Sequence, residues 1–197
     1  MNAILRRVPP WAVYLVGMLP FVWLVLRLFS GGLGVDPVKP LEHELGRTGL
    51  KLLILGLAVT PLRRFAGINL MHLRRVIGLL AFFYIFTHLL VWLLFDIQLR
   101  WSEIGKDILK RPYITIGMAA FVMLVPLALT SNNRAVRRMG AATWRRLHRL
   151  VYPAALAGGV HYVMVVKGWQ VVPLVYLVVI VGLLVMRSRL TRRRVVG

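Results

Sequence analysis

The feature that most constrains this chain is a series of long stretches without a single charged side chain. They occupy Val8–Leu26, Val76–Phe95, Pro112–Asn133, Leu150–Val166 and Gly168–Met186. A hydrocarbon core about 30 Å thick is crossed by roughly 20 apolar residues of α-helix, which satisfies its backbone N–H and C=O groups internally. Each run therefore predicts a membrane-spanning helix. A sixth, Leu52–Leu62, is shorter and bounded by Lys51 and Arg63. It reaches spanning length if its helix starts near Arg47 and the long cations extend to the interface. The expected fold class is all-α: a single polytopic membrane helical bundle of about six transmembrane helices over residues 1–197, both termini cytoplasmic.

Charge placement supports that count. The net charge of +20 would suggest nucleic acid in a soluble chain. With six spans and a cytoplasmic amino terminus, however, the inner segments collect Arg6 and Arg7, then Arg63, Arg64, Arg74 and Arg75, then the arginines from Arg134 to Arg149, and finally those from Arg187 to Arg194. All six acids, Asp36, Glu42, Glu44, Asp96, Glu103 and Asp107, fall outside. Omitting the short second span destroys this alternation. Positive-inside topology accounts for the basicity without nucleic acid, and the expected location is a multi-pass inner-membrane one, in contact with lipid. The first run offers no small-residue cleavage site, so it is expected to stay as a helix. The stretches Ser30 to about Arg47 and Asp96 to about Arg111 are expected as outer loops, the first rich in glycine and proline turns.

An ionisable side chain inside a span is costly and marks a candidate functional site. His88 lies in the third run and His161 in the fifth, seven and five residues before the outer ends of those runs. At matched depth, two neutral imidazoles can hold a metal porphyrin from both faces; without cysteine, neither an iron–sulfur cluster nor a c-type attachment is available, leaving b-type haem. Ala154, Ala155, Ala157, Gly158 and Gly159 would let a flat macrocycle approach, or else form close helix contacts, in which case each histidine bonds a neighbouring helix. His148, 13 residues before His161, would lie about 20 Å lower and about 140° away on a straight helix, an angle that a kink at Pro153 would alter. It is either a ligand to a second haem or an interfacial histidine among arginines. His72 is its weaker potential partner, and His43 belongs with the solvated outer residues. Arg74, Arg75, Arg145 and Arg146 suit haem propionates or a flavin phosphate, although topology alone puts arginines there. Trp11, Trp101, Trp144 and Trp169 read as interfacial belt residues, and Met118, Met123 and Met164 as packing.

Stretches spread in order along the chain resemble one family. They are Gly31-Gly32-Leu33-Gly34-Val35-Asp36-Pro37-Val38-Lys39, Gly46-Arg47-Thr48, Val59-Thr60-Pro61-Leu62, Arg74-Arg75, Thr87-His88-Leu89, Arg111-Pro112-Tyr113, Thr130-Ser131, Trp144-Arg145-Arg146-Leu147-His148 and His161-Tyr162. The chain resembles the MsrQ (YedZ) family, haem-binding membrane subunits of bacterial methionine sulfoxide reductase systems, within the ferric-reductase-like transmembrane superfamily. The resemblance implies that His88, His148 and His161 are haem histidines. It also implies electrons drawn from the quinone pool, FMN as an associated cofactor, and delivery to a periplasmic molybdopterin subunit, MsrP, that reduces methionine sulfoxide in oxidised proteins. Two-haem members of the superfamily carry a second histidine on each haem helix; at the corresponding place before His88 this chain has Arg74, a departure from the conventional two-haem pattern, so one haem b is expected and a second is the alternative.

The expected function is an electron-transfer subunit rather than the catalytic one. A self-contained transmembrane ferric or flavin-linked reductase is the alternative, against which stands the short stretch after Met186, with no room for a nicotinamide domain. A proton-coupled transporter is disfavoured because no acid is assigned within a span.

Overall fold

Proline fixes where many of the helices begin. In a first turn its missing N–H costs nothing, since those amides have no intrahelical partner, and its φ already suits the helix. The computed structural model describes residues 7–166 and 170–192, with side chains through residue 188. Its helices are α1 (Pro10–Phe29), α2 (Val38–Phe65), α3 (Arg74–Val91), α4 (Trp101–Lys110), α5 (Pro112–Leu129), the short α6 (Asn133–Met139) and α7 (Ala141–Leu147), α8 (Val151–Val165) and α9 (Val171–Arg192). Single 3₁₀ turns at Met71–Leu73 and His148–Leu150 lead into α3 and α8, and a π-helical turn at Trp92–Asp96 closes α3. α1 and α5 start on proline, and Pro40, Pro153 and Pro173 sit in the first turns of α2, α8 and α9. The start of the last run at Gly168, Trp169, Arg6, Arg193 and Arg194 lie outside the described residues.

Among the described residues, five stretches are long and apolar enough to cross a bilayer: Pro10–Phe29, Val38–Phe65, Met71–Asp96, Pro112–Leu129 and Val171–Ser188. The chain is an all-α polytopic membrane bundle. The Leu150–Val166 run forms α8, whose 15 residues make a rod about 22 Å long, short of the hydrocarbon thickness. It packs against α5, α9 and α2, and the 3₁₀ turn at His148–Leu150 precedes it in the chain.

Three expectations need correction. The outer stretch before Arg47 is helical from Val38 onward, because Pro37 caps a helix whose first turn tolerates Pro40, and because Leu41 and Leu45 point into the core. His43 is therefore a helical residue of α2. The second outer stretch holds α4, an amphipathic helix that turns Ile104 and Ile108 against Trp92, Ile97 and Ile114 and leaves Trp101 and Leu109 exposed. At the inner side the chain does not run from Arg145 into α8 as one helix kinked at Pro153: the 3₁₀ turn at His148–Leu150 breaks it before that proline.

α1 is held by a hydroxyl inserted into its own hydrogen-bond ladder. Pro20 disrupts the helix locally, and the buried Tyr84 of α3 enters there. The Phe21 N–H donates to Tyr84 Oη at 3.0 Å, and the Tyr84 hydroxyl donates to the Gly17 carbonyl at 2.7 Å. Gly17 permits the approach, since a Cβ there would stand 2.4 Å from Leu80 Cδ1. These two groups are the helix's own N–H(i)→O=C(i−4) pair, which the hydroxyl separates and bridges beside Pro20. Tyr84→Phe should therefore lower stability by about 1–3 kcal/mol, read as a fall in the thermal midpoint of the detergent-solubilised protein. An unchanged midpoint would show that α1 does not depend on this insertion.

The main core joins α2, α3, α5, α8 and α9 through Leu50, Leu53, Leu57, Ala81, Leu124, Leu127, Ala154, Ala155 and Ile180. At one end of it the buried Arg187 of α9 reaches Thr60 Oγ1 on α2 and lies over the Tyr152 ring of α8, 5.1 Å from its centroid. One guanidinium thus ties three helices together, with its charge spread over a hydroxyl and a π face.

Candidate functional site: two facing histidines and an arginine-lined cavity

His88 on α3 and His161 on α8 come together across the bundle, their ring centroids 6.2 Å apart and their planes crossed at 74°. Each ring is fixed through Nδ1. His88 Nδ1 lies 2.9 Å from the Glu42 carbonyl of α2, and His161 Nδ1 lies 2.7 Å from the Tyr113 carbonyl of α5. A carbonyl only accepts, so both imidazoles carry the proton on Nδ1 and keep the Nε2 lone pair for another partner. Metal-binding histidines are commonly arranged in this way. Two imidazoles sharing one metal through Nε2 at about 2.0 Å would have their centroids about 6 Å apart, close to the observed separation.

Two glycines make these bonds possible. A Cβ at Gly46 would lie 3.0 Å from His88 Nδ1, and one at Gly117 would lie 2.8 Å from His161 Nδ1. Each glycine follows its acceptor carbonyl by one helical turn, Glu42 to Gly46 and Tyr113 to Gly117. The chemistry-bearing residue types did not point to them; the available signal was a glycine midway along an otherwise ordinary helix. The small residues around His161 have a different role. Gly159 faces Ile180 and Leu177 of α9, Gly158 faces Leu50, and Ala154 and Ala155 lie in the core. They are helix contacts. Met118 and Met123 also pack in hydrophobic clusters.

His148 does not join the pair. It borders a separate cavity of about 560 Å³ toward the arginine-rich end, lined among others by His72, Arg74, Arg75, Phe82, Trp144, Arg145, Arg149 and Tyr152. The His148 ring stacks on Trp144, with centroids 3.8 Å apart, and its Nδ1 lies 3.1 Å from the Trp144 carbonyl. Its Nε2 is buried without a hydrogen-bond partner among the described residues, and burial holds the imidazole below its ordinary pKa. Trp144 is thus more than a belt residue: its indole also donates to the Thr130 carbonyl at 2.8 Å, fixing α7 against the end of α5. Arg75 donates to Asn133 Oδ1 at 2.9 Å while bordering the cavity. Arg146 is exposed and does not line it, and His72 is exposed at its margin. Between cavity and histidine pair, Phe82, Phe86 and Phe121 form near-parallel ring contacts at 5.8–6.2 Å.

Residues 45–159, which contain His88 and His148 and end two residues before His161, match the family model described as ferric reductase like transmembrane component. Over 177 residues the chain is 46% identical to a protein of Brucella anthropi named protein-methionine-sulfoxide reductase heme-binding subunit MsrQ, covering 90% of this chain and 80% of that one. The chain belongs to the MsrQ family. Identity and coverage are the same against the proteins of that name from Brucella ovis and Brucella canis. Membership in MsrQ sets the chain within the ferric-reductase-like transmembrane superfamily as a multi-pass inner-membrane protein.

Proposed function

We propose that this chain is a haem b-binding electron-transfer subunit. It would take electrons from the quinone pool, or a flavin donor, on the cytoplasmic side and deliver them to a periplasmic molybdopterin methionine sulfoxide reductase, MsrP. The observation that carries the proposal is the histidine pair: the ring centroids stand 6.2 Å apart, near the spacing of two imidazoles on one metal, and each ring uses Nδ1 for a carbonyl and so keeps Nε2 for another partner. Among the described residues no group of three or more His, Cys, Asp or Glu side chains is placed to hold an ion. A bare ion takes roughly four or more ligands. A porphyrin would bring nitrogen donors of its own, so His88 and His161 would suffice to hold it. The residues fit the group.

A haem held there by His88 and His161 would supply one-electron chemistry, at a potential that the hydrogen bonds to those histidines would help to set. The chain's own residues do the rest. His88 and His161 present Nε2; the Glu42 and Tyr113 carbonyls hold the opposite ring nitrogens; Phe82, Phe86 and Phe121 occupy the path toward the cavity. Arg74, Arg75, Arg145 and Arg149 give that cavity a cationic rim suited to propionate, the phosphate of FMN, or the polar head of a quinol. The buried His148 Nε2 offers a single further acceptor or ligand there.

In this proposal α8 completes a sixth crossing, so that both termini are cytoplasmic and α4 lies on the periplasmic face. The purified protein should show a low-spin b-type reduced-minus-oxidised spectrum, and a reporter fused after Gly197 should be active only in the cytoplasm. Absence of haem after expression with an adequate haem supply would overturn the haem assignment, and a periplasmic carboxyl terminus would overturn the topology.

A further inference from the structure

Glycine inside a helix is disfavoured relative to alanine, so a helical glycine whose added Cβ would meet a neighbour points to a close approach there. Gly17, Gly49 and Gly159 have one: a Cβ at these positions would strike the aliphatic side chains of Leu80, Ile85 and Ile180 at 2.4–2.9 Å. They let helices pack. Gly46 and Gly117 differ, because the atoms nearest their missing Cβ are Nδ1, Cε1 and Cγ of the two facing imidazoles. The arrangement is also repeated. In each case a glycine on a neighbouring helix opens the space, and the carbonyl one turn before it takes the Nδ1 proton. The two copies lie on different helix pairs, α2 with α3 and α5 with α8, in a chain without detectable sequence repeat.

We infer that Gly46 and Gly117 are positioning residues that set the orientation of the two axial imidazoles and hold their planes crossed. The inference rests on haem binding between His88 and His161. An added methyl at Gly117 would stand 2.8 Å from His161 Nδ1 and force a shift, and one at Gly46, 3.0 Å from His88 Nδ1, would press that ring away by tenths of an ångström. Either displacement lengthens the ring's bond to its carbonyl and changes its angle to the opposite ring. The angle between axial planes governs the splitting of the iron d orbitals, and the Nδ1 hydrogen bond governs ligand basicity. Both therefore have spectroscopic consequences that ordinary loss of packing does not.

The test compares Gly46→Ala, Gly117→Ala and, as a packing control, Gly49→Ala in the full chain with haem bound. The first two should move the principal g-values of the ferric low-spin signal and the midpoint potential, while Gly49→Ala lowers thermal stability and leaves both unmoved. Wild-type g-values and potential in Gly46→Ala and Gly117→Ala would overturn the inference, as would equal spectral shifts in all three variants. A wild type without haem would instead defeat the underlying assignment, so the two failures are distinguishable.

If Gly46→Ala binds no haem, His88→Gly supplied with free imidazole decides the matter. Restoration of the low-spin spectrum to the same extent in His88→Gly and in the His88→Gly, Gly46→Ala double variant would show that the alanine acts through the tethered ring. Restoration in His88→Gly alone, or in neither, would mean that no action through the ring can be demonstrated, and would overturn the inference for that site.

Discussion

Replacing His88 or His161 by alanine should abolish low-spin b-type absorption while the protein still accumulates in the membrane. Losing a partner outside the ligand shell already costs metal sites about 10–100-fold in affinity; losing the axial nitrogen itself should cost more than about 100-fold. Both side chains occupy interior positions where each ring has one hydrogen bond, to Glu42 or Tyr113. Alanine therefore removes a donor while leaving a single carbonyl without its extra partner, and that carbonyl remains an acceptor within its own helix. The bundle should survive. The measurement is haem per protein after purification, with reduced-minus-oxidised spectra and quantification in membranes. His148→Ala should retain this signal, because His148 lies at the separate cavity. Full haem retention in both His88→Ala and His161→Ala would remove the basis for the proposed function.

The second large effect separates a relay from a self-contained reductase. In membranes, haem reduced through the quinol pool should be reoxidised when the periplasmic catalytic partner and methionine sulfoxide are supplied together, and by neither alone. Entry can be blocked independently of exit. Gly78 borders the arginine-lined cavity and has open space where a Cβ would stand, so Gly78→Trp should fill part of the volume without displacing a neighbouring helix. Quinol-driven reduction should then slow by at least about 10-fold, equivalent to 1.4 kcal/mol, while chemical reduction by dithionite and reoxidation by partner plus substrate proceed as in wild type. Unchanged quinol-driven reduction in Gly78→Trp would locate donor entry elsewhere. Rapid turnover with NADPH alone would favour a ferric or flavin-linked reductase instead.

The sequence by itself determined the class and the principal candidate residues. Charge-free runs set the membrane helices, because lipid offers backbone groups no alternative partner, and the cost of an imidazole within a span singled out His88 and His161. Pairwise geometry was beyond it. Whether Gly159 faced a cofactor or Ile180 depended on which helix lay opposite, a choice made by packing among α2, α5, α8 and α9. Local composition misjudged the start of α2, where Lys39, Pro40, Glu42, His43 and Glu44 look like loop but Leu41 and Leu45 find a core. Only the tertiary structure gave His148 a cavity of its own, set Trp144 beneath its ring, and turned Gly46 and Gly117 into contacts of the two histidines. The physical reason is common to these cases. Spanning is dictated by what a segment must avoid in lipid, which its own side chains reveal. Positioning is dictated by atoms on another helix, which approach within hydrogen-bonding distance only after the bundle has closed.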